Sequence, residues 1–243
     1  MNILKSISNL TMFDSLQYRD FRMTWISNML SGCSYWTFSV GLSWLVLQET
    51  GNSANVGIVI FASMLPFLLV SPFAGYISDK YDRKSLALLM YIFNTIFCLI
   101  LFVSSILNFY PILFIASISF ILGVIRTFQE PTVSSLIPNQ VPKSNLLNAI
   151  TLNAASRHGS RFFGLLVVSP VIGMDILDGG QFLLLFSFCF QLSSTYFIYR
   201  IQTVSSGESS SDSDILSSIF KGIKYIYTNS LVFIIILTVA VHC

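Results

Sequence analysis

SLALLMYIFNTIFCLILFVSSILNFYPILFIASISFILGVI, residues 85–125, runs for 41 residues without one Asp, Glu, Lys, Arg or His. A bilayer's hydrocarbon core, ~30 Å thick, is crossed by about 20 apolar residues in a helix. The run is therefore too long for one crossing. It is broken once, at Asn108–Pro111 (NFYP), a cluster of turn-forming residues. Two antiparallel crossings joined by a tight turn follow. Backbone groups in lipid must find partners within their own segment, so the crossings are helices.

Working outward, the same test finds uncharged stretches from Met23 to Leu47, Ala54 to Ser78 and Gly179 to Tyr199. A more polar stretch from Asn145 to Ile172 is interrupted by Arg157, His158 and Arg161. The reading is an all-α membrane protein, a bundle of six transmembrane helices at about 22–48, 54–78, 85–107, 111–136, 145–172 and 179–199, plus the start of a seventh from Ser230. Domain limits are expected at 1–21 (cytoplasmic N-terminal tail), 22–200 (six-helix transmembrane domain), 201–214 (linker) and 215–243 (interfacial helix and incomplete seventh span). The linker rests on TVSSGESSSDSD, residues 203–214, too polar to pack a core. The interfacial helix rests on Ile215, Ile219, Ile223 and Ile226 at helical spacing, although these residues also suit the start of the seventh span.

Composition agrees. Of 243 residues, 54% are hydrophobic and only 10% charged, against about a quarter charged in soluble domains. The net charge of +2 leaves no basic footprint for nucleic acid. Cys33, Cys98, Cys189 and Cys243 stand far apart without a CxxC pair, so neither a disulfide framework nor a metal site is expected. No HExxH, GxSxG or P-loop pattern occurs, which argues against an enzyme, and no cofactor is expected. The first 20 residues lack a signal peptide's apolar core and cleavage site.

Lys and Arg sort to one side. Lys5, Arg19 and Arg22 precede the first span, Lys80, Arg83 and Lys84 follow the second, Lys143 follows the fourth, and Arg200, Lys221 and Lys224 follow the sixth. The intervening loops carry none. By the positive-inside rule the N-terminus is cytoplasmic. The expected location is a multi-pass protein of the cell membrane.

One motif is specific in sequence, span number and side: GYISDKYDRK, residues 75–84, between spans two and three. Gly75 is read as allowing close helix approach, Asp79 as facing the positive N-terminus of the next helix or a basic group, and Lys80, Arg83 and Lys84 as inner-face anchors.

This segment resembles the G-x-x-x-D-[RK]-x-x-[RK]-[RK] signature of the major facilitator superfamily. The likeness is closest to the bacterial efflux permeases of the enterobactin-exporter branch. YRDFR at 18–22, WLVL at 44–47, PTVSSLIPNQVP at 131–142, and Asn148, Ala149, Asn153, Arg161 and Gly164 are similar to further segments of that branch. There are departures: Ser34-Tyr35 stands where an acidic residue often follows a glycine, Asp82 where the signature has a second glycine, and Leu165 where helix five usually has proline. The resemblance implies a secondary transporter of the bacterial inner membrane, working by alternating access with ion coupling and exporting a drug, metabolite or siderophore. It also implies two inverted three-helix repeats, a gate built from the 75–84 motif, and a second six-helix half following this one, of which the chain is expected to be the N-terminal piece. The missing acid in helix one weakens the case for coupling there. The alternative is a membrane enzyme or accessory subunit on a six-helix scaffold.

Ionisable residues inside spans are costly there and are functional candidates. Arg126 and Glu130 share a face of span four, and Asn153, Arg157 and Arg161, with His158 beside them, form a polar stripe on span five. At about 1.5 Å per residue, Arg126 and Arg157 lie roughly 15 and 18 Å deep, near mid-membrane. Three arginines face one carboxylate, so an anionic group on the substrate is one way to supply the missing charge; a purely structural role is the other. His158 is read as a cavity residue rather than a proton carrier. The remaining aromatics are read as packing and lipid contact.

Overall fold

The computed structural model describes residues 11–173 and 179–203. Residues 1–207 form one compact unit and residues 208–243 a second. The polar linker from residue 204 onward, the interfacial helix and the seventh span lie outside the described residues.

Six long α-helices follow one another: α1 (Arg19–Thr50), α2 (Ser53–Lys80), α3 (Arg83–Ile106), α4 (Ile112–Leu136), α5 (Leu146–Gly173) and α6 (Gly179–Tyr199). Their ends fall within three residues of the spans read from charge and turn signals. A 3-10 helix, Thr11–Gln17, precedes them within the N-terminal tail. It docks on α5, with Ser15 Oγ donating to Asn148 Oδ1 at 2.7 Å.

Local chemistry fixes the breaks. Gly51 ends α1 in the left-handed region (φ 61°), and Asn52 caps α2 by accepting the Ala54 N–H at 2.9 Å. In the NFYP turn, Asn108 takes φ 52°, a conformation asparagine tolerates better than most side chains. The Tyr110 hydroxyl donates back to the Ser105 carbonyl at 2.8 Å.

Four helical segments, Ser53–Ser71, Arg83–Ile106, Ile112–Asn139 and Gly179–Tyr199, are long and apolar enough to cross a membrane. Helices α1 and α5 are as long but more polar, and side chains of α1 meet α6 at Ser27 and Ser34, α5 at Asn28 and α4 at Tyr35. α1 packs most extensively on α6 and α2 on α4, followed by α1 on α5, α3 on α6 and α3 on α4. This pattern maps onto itself when α1 exchanges with α4, α2 with α5 and α3 with α6, as inverted three-helix repeats require.

Two glycines let backbones come close in the symmetry-related pairs. A Cβ at Gly123 of α4 would collide with the Ser63 carbonyl of α2. One at Gly164 of α5 would lie 3.0 Å from the Cys33 carbonyl of α1. Gly75 does not play this part. Among the described residues a Cβ there would meet nothing within 4 Å, which corrects the expectation that the motif glycine lets helices close up within this bundle.

The seam between α1 and α6 is built from small residues every seven positions. Ser27 pairs with Ser194 and Ser34 with Ser187, each hydroxyl donating to the other residue's carbonyl at 2.7–3.0 Å. One heptad further, Gly41 faces Gly180, whose Cβ would lie 3.3 Å from the Gly41 carbonyl. Close backbone approach with closed hydrogen bonds is how helices associate where lipid gives no hydrophobic drive.

Candidate functional site

Every span-borne candidate of α4 and α5 lines one cavity. Arg126, Glu130, Asn153, Arg157, His158 and Arg161 surround a space of about 270 Å³, open on one side. α1 and α3 complete its wall with Asn28, Ser31, Trp36 and Tyr91. Arg157, His158 and Arg161 lie on the open side, whereas Asn153 is buried.

Asn153 is held rather than free. Its Oδ1 accepts from Asn28 Nδ2 at 2.7 Å, and Asn28 Oδ1 accepts from the Tyr91 hydroxyl at 3.0 Å. This chain ties α5, α1 and α3 together at the cavity floor. Buried polar groups linked in this way fix geometry, because breaking any link leaves an orphan.

Arg126 and Glu130 form the expected pair within one helix, Nε to Oε1 at 3.5 Å. For the two remaining cavity arginines the lining offers no carboxylate besides Glu130. The aromatic residues of α1 give partial compensation. The Arg126 guanidinium lies 3.6 Å from the Tyr35 ring centroid, and that of Arg161 lies 4.5 Å from the Trp36 centroid. A ring face attracts a cation by about 0.5–2 kcal/mol, depending on desolvation, but leaves the charge in place. The wall still carries three guanidiniums against one carboxylate.

Tyr35 and Trp36 were not singled out by sequence reasoning except where Tyr35 marked a departure from the family pattern. Two adjacent aromatics amid the small residues of a polar helix were the available signal. Gln129 and Gln191 were also missed, since an amide carries no charge to flag it.

Beyond Arg126, away from the Lys/Arg-rich end of the bundle, lies a second and smaller pocket of about 50 Å³. Arg126 and Ser31 line both spaces. The two are stacked along the helix direction, with Arg126 at their junction.

At the Lys/Arg-rich end, the 75–84 segment forms the corner between α2 and α3. The Asp79 side chain lies outside the described residues. The N-terminus of α3 is capped by Asp82, whose Oδ2 accepts the Ser85 N–H at 2.9 Å. Partial burial works against the charged form of Asp82. Hydrogen bonds from Ser85 and Lys84, and the charge of Lys84, outweigh that effect and hold its carboxyl below the usual range. The residue that departs from the signature therefore does the capping. Arg83 reaches across to α4, Nη1 donating to the Ser135 carbonyl at 3.3 Å. Nearby, the Ser78 and Thr132 hydroxyls meet at 2.8 Å and join α2 to α4. Lys80 sits at the last turn of α2, and Lys84 in the first turn of α3 beside Asp82.

The profile of the transmembrane secretion effector family of the major facilitator superfamily matches residues 10–238. The chain belongs to this family. A curated relative, the staphyloferrin A transporter of Staphylococcus aureus (strain NCTC 8325 / PS 47), is 26% identical over 132 residues, 53% of this chain. The match spans 32% of that relative's length. Within the major facilitator superfamily, the six helices correspond to a partial, N-terminal half. Its apolar helices place the chain in contact with the lipid bilayer as a multi-pass membrane protein.

Proposed function

We propose that this chain is the N-terminal half of a secondary transporter that exports a small anionic molecule, a siderophore, metabolite or drug, by alternating access. One observation carries the reading. Arg126, Arg157 and Arg161 converge on a single open cavity whose lining offers them only Glu130. A bound anion would balance the charge, and the cavity's approach to mid-membrane depth suits a site reached from both faces in turn.

The remaining assignments extend from that site. A second six-helix half would complete the cavity on its open side. The corner at Gly75, Asp79, Lys80, Arg83 and Lys84 would act as the gate, with the Arg83–Ser135 contact among those that form in one state and break in the other. Lys and Arg placement favours a cytoplasmic N-terminus in a bacterial inner membrane. Ion coupling would pass through Glu130, which is already paired with the arginine that the substrate needs. The enzyme alternative called for a closed pocket around Glu130 and His158, and the open polar groove favours the transporter.

The test is to replace Arg157 and Arg161 with Gln in the full-length protein and to compare transport of an anionic and a neutral substrate. Loss confined to the anion supports the reading. Equal effects on both substrates would remove it.

A further inference from the structure

We propose that Asp20 is a clasp that stands in for a covalent turn. It holds the chain leaving α6 against the first turn of α1, closes the bundle at its Lys/Arg-rich end, and makes α1 the helix through which a pull on the following chain enters the bundle. This role lies beyond the transport reading and is independent of what the cavity binds.

The seam between α1 and α6 leads to this residue. Its matched positions step by seven: Gly41 with Gly180, Ser34 with Ser187, Ser27 with Ser194. The next step is Asp20 on α1 and, opposite it, Ile201, which lies just past the end of α6 at Tyr199. The helix has run out there, and what the chain offers is donors. Arg200 and Ile201 still give their N–H groups to the Tyr196 and Ile198 carbonyls. The Gln202 N–H turns instead to Asp20 Oδ2 at 3.0 Å, and the Thr203 hydroxyl donates to the same oxygen at 2.5 Å. Hydrogen bonds to an ionised carboxylate are roughly twice as strong as neutral ones. The Ile201 side chain, 1% exposed, packs with Tyr91, Val133 and Leu136, so the exit is pinned from two sides.

The carboxylate had a nearer use. An Asp in a helix's first turn ordinarily serves that helix's own free N–H groups and its dipole. Such groups are at hand, since the N-cap residue Tyr18 makes no side-chain cap. Asp20 nevertheless gives Oδ2 to donors 182 and 183 positions along the chain.

The internal symmetry shows what the contact replaces. Exchange of α1 with α4 and α3 with α6 sets the end of α6 beside the start of α1, as the end of α3 lies beside the start of α4. At the latter place the NFYP turn joins the helices covalently, with the Phe109 N–H on the Ser104 carbonyl and the Tyr110 hydroxyl on the Ser105 carbonyl. At the former no peptide bond joins the two ends, and Asp20 supplies the link.

The rest of that first turn is fixed as firmly. Thr24 Oγ1 donates to the Asp20 carbonyl at 3.0 Å and accepts from Gln140 Nε2 at 2.8 Å. Phe21, 1% exposed, packs with Ile137, Val141, Ala149 and Leu152. The YRDFR segment thus ties the α6 exit to the α4–α5 connection and to α5. A load on the chain beyond Thr203 reaches α1 at this turn, and Asn28, Ser31 and Tyr35 of the cavity walls lie roughly two to four turns further along the same helix.

Hydrogen exchange in the full-length protein in detergent tests the clasp. Asp20→Ala should speed exchange at the Gln202 amide about ten-fold or more and leave α3 and α4 unchanged. Asp20→Asn keeps an oxygen able to accept both bonds and should stay within about three-fold of wild type. Thr203→Val removes one donor while keeping the shape; it should speed Gln202 about two-fold and add little once Asp20 is replaced by Ala. If Asp20→Ala speeds only the first turn of α1, or if Asp20→Asn exchanges as fast as Asp20→Ala, the carboxylate serves its own helix and the clasp is overturned. Should Asp20→Ala loosen the whole bundle, Thr203→Val decides: acceleration confined to residues 201–203 upholds the clasp, and exchange like wild type overturns it.

Discussion

Helix α1 is polar on two faces, and the two faces have opposite fates. Toward α6, Ser27 and Ser34 meet Ser194 and Ser187 in reciprocal hydrogen bonds, and Gly41 meets Gly180. Toward α4 and α5, Asn28, Ser31, Tyr35 and Trp36 border two cavities with three arginines, and nearby amide donors end without acceptors. Composition does not separate the faces, since both are rich in small hydroxyl residues. Closure of the hydrogen bonds does. A polar residue whose bonds close within the bundle holds helices together, and one whose bonds stay open is available to a ligand.

The comparison can be broken most forcefully at the seam. Gly41→Leu would drive a side chain into Leu183, whose Cβ lies 2.6 Å from where the new Cβ must sit. Overpacking of this kind costs about 3 kcal/mol or more when backbones must separate. Thermal unfolding in detergent should show a large drop in stability, and unchanged stability would deny the seam its structural part. On the opposite face, Arg126→Gln should shift unfolding by no more than about 1 kcal/mol, because the lost Glu130 pair is partly exposed. Binding of an anionic probe such as citrate should nevertheless fall by an order of magnitude or more.

Much of this was legible in the sequence, and the limits have physical causes. Helix ends were readable because charge avoids lipid and Asn-Phe-Tyr-Pro breaks a run. Convergence of the arginines was partly readable from the ~1.5 Å rise per residue, which puts Arg126 and Arg157 at similar depth with Arg161 one turn beyond. Which face of α1 they meet was not, because helical rotation in a bundle depends on partners far away in sequence. Tyr35 and Trp36 are adjacent in the chain, yet they carry guanidiniums from two different helices. Motif reading was reliable for position and less so for role. A side chain at Gly75 would meet nothing within 4 Å among the described residues, and Asp82, which departs from the signature, caps α3.

A finer test removes hydrogen bonds while leaving shape. Ser27→Ala and Ser194→Ala, singly and together, form a double-mutant cycle across the seam at a pair that lines neither cavity. Interhelical hydrogen bonds in membranes average about 0.6 kcal/mol and seldom exceed about 1.7. The double variant should lose about 1 kcal/mol of stability, with citrate binding unchanged. A binding defect without a stability defect would mean that the two faces of α1 are coupled.

Ser31 sits at the border between the faces, and its replacement should have the smallest effect of the series. It lines both cavities and donates to Gln191 Oε1 at 3.2 Å, a long bond that orients the amide without contributing much energy. Ser31→Ala removes one long bond and leaves the buried amide otherwise in place, so stability should stay within a few tenths of a kcal/mol. Because Ser31 borders both cavities without carrying charge, binding of an anionic probe such as citrate should change by no more than about two-fold. A ten-fold loss in a citrate titration of Ser31→Ala would place Ser31 itself among the ligand's contacts, whereas an unchanged affinity with lowered stability would assign it wholly to the structural face.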